Sequence, residues 1–313
     1  MEYTILGRSG LKVSVAGLGC GGPSRLGLRQ NRSEKEAVAL VRQSLDLGVN
    51  FLDTAESYGT EEIVGKAIGQ IPREQIIVST KKAFPLTDPG DPSREVRKRL
   101  EQSLRQLRTD YVDVYHVHGV EPQDYRIASM EVLPVLFKLR EEGKIRFVGI
   151  TEAFVEDPAH SMLKRALKED HWDVIMVGFN VLNQSARGAV LRAAMAKNVG
   201  VLIMFALRRA LSRPARLKEV IAELEGKGLV EPGACDSDDP LGFVVQEGKA
   251  SSVPDAAYRY CRHEPGVHVV LTGTGKPEHL KANLDSLSRP ALPAPTVKRL
   301  QEIFRKVDSI TGN

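Results

Sequence analysis

The stretch SEKEAVALVRQSLDLGVNFLD, residues 33–53, contains the pattern that decides the fold. Ser33 followed by Glu36 forms a capping box, which is a typical start of a helix. Behind it, apolar and small residues recur at the spacing of one helix face. These residues are Ala37, Leu40, Val41, Ser44 and Leu45. The apolar run at residues 49–52 then indicates a buried strand, so the stretch predicts a helix followed by a strand.

The same alternation of short apolar runs and longer helical segments continues along the chain. Eight strand candidates result, at residues 15–19, 49–52, 76–79, 112–117, 145–150, 174–177, 201–205 and 267–271. Strands that are buried on both faces read as continuous apolar runs, and eight strand–helix units close most simply into a barrel. The sequence therefore predicts an α/β protein of the (β/α)8 TIM-barrel class. An N-terminal β-hairpin at residues 3–6 and 11–15 and a C-terminal helix complete the prediction.

An open doubly wound sheet is the alternative arrangement of such units. It usually carries G-x-G-x-x-G directly after its first strand. Gly17, Gly19, Gly21 and Gly22 do not have that spacing and do not lead directly into a helix. The barrel is therefore favoured, as one domain over residues 1–313 with an insertion at residues 226–252 after the seventh strand. This insertion is rich in Gly, Pro, Asp and Ser, and it is either a lid over the active site or a plain loop.

The composition argues against several classes of partner. The chain has 44 Lys and Arg against 40 Asp and Glu, and its net charge of +4 is spread along the sequence, so nucleic acid is not a favoured partner. No segment approaches the roughly 20 apolar residues of a membrane span, and we expect a cytoplasmic protein. Cys20, Cys235 and Cys261 lack metal or disulfide spacing and are expected to be reduced thiols.

Polar side chains follow three successive strand candidates. Asp53 ends the second strand and Tyr58 lies in the loop behind it, Lys81 follows the third, and His118 follows the fourth. In barrels, catalytic residues lie where strands end. A phenol has a pKa near 10 and becomes a better proton donor when a nearby cation stabilises its anion. Lys81 could be that cation, held by Asp53, while His118 orients a substrate oxygen.

Two further patterns have other possible meanings. His116 and His118 form an H-x-H pair that occurs in metal-dependent barrel hydrolases, but no histidine ends the fifth or sixth strand to complete a site, and no metal is expected. After the eighth strand, the glycines of residues 273–276 would let backbone N–H groups approach a phosphate at a helix start. Glycines end many strands, so the barrel position is what favours a phosphate site here.

Four motifs together resemble the aldo-keto reductase superfamily. They are FLDTAESYG at residues 51–59, STK at 79–81, YVDVYHVH at 111–118 and GKIRFVGI at 143–150. The resemblance extends from the hairpin to Asn283 and implies an NAD(P)H-dependent carbonyl reductase or alcohol oxidoreductase. By this resemblance Tyr58 is the proton donor, Lys81 lowers its pKa, Asp53 pairs with Lys81, and His118 orients the carbonyl.

The resemblance also implies which residues hold the cofactor. Gly19 ends the first strand and Cys20 follows it, residues 273–276 hold phosphate, and Asn283 faces the adenine. Around the nicotinamide, Thr151 and Glu152 stand where the family usually has Ser-Asn, Met176 replaces Gln, and Met204 replaces a stacking aromatic, with Phe205 beside it. The complete implied set is Gly19, Cys20, Thr151, Glu152, Met176, Met204, Gly273, Thr274, Gly275, Lys276, His279 and Asn283. A methionine sulfur can cover a ring face, and Glu152 can accept a hydrogen bond from a carboxamide.

Two functions therefore remain open at this point. The favoured one is reduction of an aldehyde or ketone, or the reverse oxidation, with NADP(H) favoured over NAD(H). The family's contacts to the 2′-phosphate align with Gly273 and His279, and Lys276 between them could supply the charge they lack. The alternative is a barrel that binds the cofactor as a sensor or interaction module with little turnover, which the altered nicotinamide contacts favour.

Overall fold

The computed structural model describes residues 1–83 and 91–313 as a closed barrel of eight parallel strands. An antiparallel hairpin, β1 (Tyr3–Ile5) and β2 (Lys12–Ser14), precedes it. The barrel strands are β3 (Ala16–Gly19), β4 (Phe51–Asp53), β5 (Ile77–Lys82), β6 (Val112–Val120), β7 (Ile145–Glu152), β8 (Val174–Gly178), β9 (Gly200–Met204) and β10 (Val269–Thr272). They follow one another around the barrel in chain order, and β10 pairs with β3. The predicted (β/α)8 class and N-terminal hairpin are confirmed.

Helices of very different lengths surround the barrel. In the described part of the chain they are α1 (Glu34–Asp46), α2 (Glu61–Ile68), α3 (Pro92–Leu107), α4 (Tyr125–Ile127), α5 (Leu133–Glu141), α6 (Ser161–Ala166), α7 (Arg192–Ala196), α8 (Arg209–Ser212), α9 (Pro214–Gly226), α10 (Phe243–Gln246), α11 (Val253–Arg262), α12 (Pro277–Leu287) and α13 (Ala294–Ile303). The last of these is the predicted C-terminal helix. None of the helices described is long and apolar enough to cross a membrane.

Helix starts follow the local capping chemistry. The capping box of α1 is formed, because Ser33 Oγ accepts from the Glu36 N–H at 3.3 Å and Glu36 Oε2 accepts from the Ser33 N–H at 2.8 Å. The helix α6 begins at Ser161, and the Asp157 carboxylate accepts hydrogen bonds from its first N–H groups, at 2.9 Å from Ser161 and 2.8 Å from Met162.

The hairpin closes one end of the barrel. Its side chains Leu6, Leu11 and Val13 form one buried cluster with interior residues of the strands. Gly7 has a φ of +49°, and a β-carbon there would lie 2.5 Å from the backbone nitrogen of Gly200 at the start of β9. The turn therefore needs glycine both for its conformation and for its close approach. The hairpin therefore covers the starts of the barrel strands, and the strand ends lie at the opposite end of the barrel.

The segment at residues 226–252 packs on the outside of the barrel, against α13. The Phe243 ring lies 4.0 Å from the Arg299 guanidinium, and Lys306 forms an ion pair with Glu231 at 2.9 Å. A cavity beside Tyr58 is lined, between β9 and β10, by residues 205–208 and Tyr258, and not by residues 226–252. The role of residues 226–252 as a lid remains a prediction.

Candidate active site

A buried ion pair lies at the ends of β4 and β5. Lys81 Nζ donates to both carboxylate oxygens of Asp53 at 2.6 Å and to the Thr54 carbonyl oxygen at 2.9 Å. The Ser79 hydroxyl donates to Asp53 Oδ1 at 2.9 Å. The side chains of Lys81 and Asp53 are 1% and 4% exposed, so each charge depends on the other for compensation. The parallel register of β4 and β5, with Asp53 opposite Ser79, produces this arrangement.

The pair keeps Lys81 positively charged. Burial alone would lower the pKa of its ammonium, but the carboxylate of Asp53, the Tyr58 phenol and the hydrogen bonds outweigh burial and raise that pKa above its ordinary value. A permanent cation therefore lies below the strand ends.

Tyr58 lies above this cation, on the short 3₁₀ turn Glu56–Tyr58. Lys81 Nζ is 5.2 Å from the centre of the Tyr58 ring, which packs edge-on against the His118 ring with centroids 5.7 Å apart. Burial raises the pKa of the Tyr58 phenol, and Lys81 opposes that shift without reversing it. The sequence predicts that Lys81 lowers the pKa of Tyr58. Lys81 does act in this direction, but burial has the larger effect, so the pKa of Tyr58 lies above its ordinary value. The phenol is protonated at neutral pH, with a cation placed to stabilise its anion.

His118 is neutral in this environment. Burial, followed by the charge of Lys81, lowers the pKa of its imidazole from 6.5 to about 3. His116, two residues earlier on β6, is fully buried and contacts the Ser79 hydroxyl at 3.2 Å through Nε2. In the described ranges 1–83 and 91–313, no three His, Cys, Asp or Glu side chains come together as metal ligands would.

A cavity extends from Tyr58 across the barrel mouth to the end of β10. It is lined by Gly19, Gly21, Gly22, Pro23, Ser24, Asp53, Tyr58, Met176, Met204, Phe205, Ala206, Leu207, Arg208, Tyr258, Leu271, Thr272, Gly273, Thr274, His279 and Asn283. Seven of the residues predicted to bind cofactor are therefore in its wall: Gly19, Met176, Met204, Gly273, Thr274, His279 and Asn283. Of the four predicted catalytic residues, Asp53 and Tyr58 also line this cavity, whereas Lys81 and His118 do not.

At the β10 end, some of the predicted cofactor residues lie in the cavity wall and others lie outside it. Asn283 Nδ2 donates to Thr272 Oγ1 at 2.8 Å, which fixes its side chain at the cavity wall. Gly275 packs against the loop after β3, because a β-carbon there would lie 2.5 Å from the Cα of Gly27. Lys276 is exposed and immediately precedes α12, and neither Gly275 nor Lys276 lines the cavity.

At the Tyr58 end, only the two methionines of the predicted nicotinamide set face the cavity. The Thr151 side chain is buried and its Oγ1 accepts from the Gly119 N–H at 2.7 Å. The Cys20 thiol is fully buried and faces the Leu18 carbonyl oxygen at 3.8 Å. Met176 and Met204 therefore form an apolar, polarizable part of the wall of the cavity that Tyr58 also lines.

Glu152 is occupied by contacts within the protein. Its carboxylate lies 2.9 and 3.0 Å from His160 Nδ1 and accepts from the Gly178 N–H at 2.8 Å. The His160 ring stacks on Phe154, which in turn packs edge-on against Phe205 at the cavity wall. Glu152 occupies the position where the family usually has an amide, and its carboxylate is used in the buried pair with His160.

Some residues of the site were not predicted from the sequence. Tyr258 lines the cavity, and its hydroxyl is 3.0 Å from Thr272 Oγ1. Ser79 supports Asp53, and Arg208 brings a cation to the wall. Ser79 alone had a local signal, because it lies two residues before Lys81 on the same face of β5.

Comparison with known proteins agrees with this geometry. Residues 18–305 match the model of the aldo/keto reductase family. The chain is 40% identical to the L-galactose dehydrogenase of Arabidopsis thaliana over 157 residues, 48% of each chain. It is 30% identical to the aldo-keto reductase YhdN of Bacillus subtilis over 302 residues, covering 90% of this chain and 87% of that protein.

Solved structures are similar over nearly the whole chain. The holo form of aldo-keto reductase AKR11C1 from Bacillus halodurans aligns with a TM-score of 0.72 at 25% identity, over 99% of this chain and 98% of that one. The thermostable aldo-keto reductase Tm1743 also has a TM-score of 0.72 at 25% identity, over 97% and 100% of the two chains.

The fold and the site define an oxidoreductase built on a (β/α)8 barrel. The chain belongs to the aldo/keto reductase family. Members of this family use nicotinamide cofactors to reduce carbonyl groups.

Proposed function

We propose that this chain reduces an aldehyde or ketone to an alcohol with Tyr58 as the proton donor. The observation that carries the proposal is the position of the Tyr58 phenol. It shares a cavity with the predicted cofactor residues and lies above a buried ion pair whose ammonium is 5.2 Å from its ring centre. The phenol is protonated at neutral pH, and the Lys81 cation lowers the cost of releasing its proton.

The residues of the cavity fit a nicotinamide dinucleotide. Met176 and Met204 offer an apolar surface near Tyr58, and Gly273, Thr274 and Asn283 offer polar and backbone groups near the start of α12. The 11-residue helix α12 adds its positive dipole end to that corner. When bound, the cofactor supplies the hydride that the carbonyl carbon receives.

The side chains then have separate tasks. The neutral His118 imidazole orients the carbonyl oxygen by donating a hydrogen bond. The Tyr58 hydroxyl transfers its proton to that oxygen as negative charge develops on it. Lys81 stabilises the resulting phenolate, and Asp53 holds the ammonium in place while balancing its charge.

We further propose that NADP(H) is preferred over NAD(H). Lys276 lies between the wall residues Gly273 and His279 in the sequence, and its exposed side chain forms no ion pair with the residues that the structure describes, so it is available to a bound phosphate. A lysine in this position would contact only the phosphate that NADPH carries and NADH lacks.

The experiment is to measure cofactor oxidation with a panel of aldehydes and ketones for the wild type and for Tyr58→Phe. The relative named L-galactose dehydrogenase justifies adding L-galactose with NADP+ as an alcohol substrate. Loss of a general acid should lower the turnover rate by roughly 10²- to 10⁴-fold while the dissociation constant of the cofactor changes little.

Tyr111→Phe is the matched control. Tyr111 is half-buried, directly precedes β6, and does not line the cavity. This control should keep wild-type turnover. Wild-type rates in Tyr58→Phe would remove Tyr58 from the mechanism, and tight cofactor binding without turnover of any substrate would instead favour the sensor function.

A further inference from the structure

The loop after β9 brings to the cavity a cation that the proposed mechanism does not use. Arg208 is half-buried in the cavity wall, and its guanidinium lies 4.2 Å from the centre of the Phe205 ring. Its Nε donates to Asn313 Oδ1 at 2.8 Å. The stacking and this hydrogen bond fix the plane of the guanidinium beside the cavity.

Most of the hydrogen-bonding capacity of Arg208 is unused. A guanidinium has five N–H donors, and within residues 1–83 and 91–313 only Nε of Arg208 has a hydrogen-bond partner. No carboxylate in these ranges forms an ion pair with it, whereas Arg187 and Arg259 each have one. The two terminal nitrogens therefore form an open fork, the geometry that matches a carboxylate.

The charges around the cavity also favour an anion. Of the side chains that line it, Asp53 and Arg208 carry a formal charge at neutral pH, and Lys81 neutralises Asp53. Burial, followed by the charge of Arg209, lowers the pKa of Arg208, which is the shift expected for a cation without an anionic partner. An anion at this point would compensate that charge.

The position of Arg208 points to the substrate as the source of the anion. β9 lies between β8 and β10, and the phosphate corner follows β10. Arg208 Cβ and Asn180 lie beside the same residue near the C-terminus, because a β-carbon on Gly312 would lie 3.6 Å from both Arg208 Cβ and Asn180 Nδ2. Asn180 follows β8 and donates to the Phe205 carbonyl oxygen at 3.2 Å. The loop that carries Arg208 is thus linked to the end of β8, whereas Gly273 and Thr274 follow β10.

We infer that Arg208 is a specificity-determining residue that binds a carboxylate of the substrate, so that the preferred substrates are aldehydes or ketones that carry an acidic group. The inference rests on the proposed function, because it names the substrate class of the same site. It requires that a carbonyl compound reach Tyr58 and Arg208 at the same time.

The test compares two aldehydes of similar shape, 4-carboxybenzaldehyde and 4-methylbenzaldehyde. In the wild type kcat/KM should favour the carboxylate. Arg208→Gln should lower kcat/KM for 4-carboxybenzaldehyde by about 10- to 150-fold, the value of one charge-assisted pair, and leave 4-methylbenzaldehyde unchanged. Arg208→Lys should retain part of the preference because it keeps the charge but not the fork.

Arg213→Gln is the matched control. Arg213 is exposed on the same rim and does not line the cavity, so its loss removes one charge without removing the fork. Dissociation constants of NADPH should stay the same in all variants. A loss of NADPH affinity in Arg208→Gln as large as the loss for the carboxylate substrate would assign Arg208 to the cofactor and overturn the inference, as would equal effects of the two glutamine variants.

A binding measurement separates this inference from the proposed function. Calorimetric titration with 4-methylbenzoate and 4-methylbenzamide, with and without NADP+, needs no turnover. Arg208-dependent binding of the benzoate supports the anion site even in a chain that reduces neither aldehyde. Turnover of both aldehydes with equal kcat/KM, and equal binding of benzoate and benzamide, would overturn the inference while leaving carbonyl reduction intact.

Discussion

Replacing Lys81 by methionine should be strongly destabilising. The ammonium makes three hydrogen bonds, two of them to Asp53, and both side chains are almost fully buried. Without Lys81, the Ser79 hydroxyl is the one side-chain donor that the described residues leave to the Asp53 carboxylate. Breaking a buried ion pair by removing one partner typically costs about 3–5 kcal/mol, because an uncompensated charge remains. We expect a loss of this size in the free energy of unfolding.

The assay is urea unfolding followed by the fluorescence of Trp172, which is the single tryptophan of the sequence and is buried. Lys66→Met provides a control with similar contacts at the surface. Lys66 also contacts two carboxylates, at 2.7 Å from Glu34 and 2.8 Å from Glu62, but in solvent, where such pairs contribute little. Its loss should shift the unfolding curve much less.

A double variant tests the origin of the effect. Lys81→Met combined with Asp53→Asn removes both charges of the buried pair and should recover part of the lost stability. A loss below about 1 kcal/mol in Lys81→Met, or a double variant less stable than both single ones, would refute the reasoning that the pair must remain intact.

Three further predictions concern the cofactor and the neighbouring titratable groups. Lys276→Ala should weaken NADPH binding roughly tenfold and spare NADH, and fluorescence titration with both cofactors would show equal losses if Lys276 does not contact the 2′-phosphate. Glu152→Ala removes the acceptor of the Gly178 N–H and the partner of His160. We expect the free energy of unfolding in urea to fall by about 2–5 kcal/mol in this variant and by less in Glu152→Gln. Equal losses in the two variants would contradict a role of the Glu152 charge. Folding lowers the pKa of His118 from 6.5 to about 3, so between these values the unfolded chain binds one more proton than the folded chain. The free energy of unfolding should therefore fall as the pH decreases through this window. A His118 imidazole that titrates near pH 6.5 in the folded protein, as followed by nitrogen NMR, would contradict this.

Much of the fold could be predicted because its signals are local. Each barrel strand is a short apolar run, and the helix α1 is marked by a capping box and one apolar face. The grouping of Asp53, Lys81 and His118 also followed from the sequence, since parallel strands deliver their carboxyl-end residues to one rim. The start of α6 is harder to predict, because Asp157 caps N–H groups four and five residues ahead instead of beginning the helix itself.

The parts of the site that escaped prediction depend on contacts between distant segments. The Glu152–His160 pair requires the chain after β7 to fold back, with His160 at a φ of +62°. Tyr258 reaches the cavity from α11, and its burial beside Thr272 is not visible in the helix pattern. Arg208 is one of several arginines near α8, and only the conformation of the loop, with Phe205 at a φ of +62°, distinguishes it from its exposed neighbours.

The most direct test of the account is to follow the hydride itself. The protein is incubated with NADPH deuterated at C4 of the nicotinamide and with an aldehyde that the panel identifies, and the alcohol product is analysed by mass spectrometry. The account predicts one deuterium atom on the carbinol carbon in the wild type and a roughly 10²- to 10⁴-fold slower appearance of the labelled alcohol in Tyr58→Phe. The experiment is run with each of the two stereospecifically labelled forms of NADPH. Alcohol without deuterium from both forms would contradict the account, as would equal rates of labelled alcohol formation in the wild type and in Tyr58→Phe.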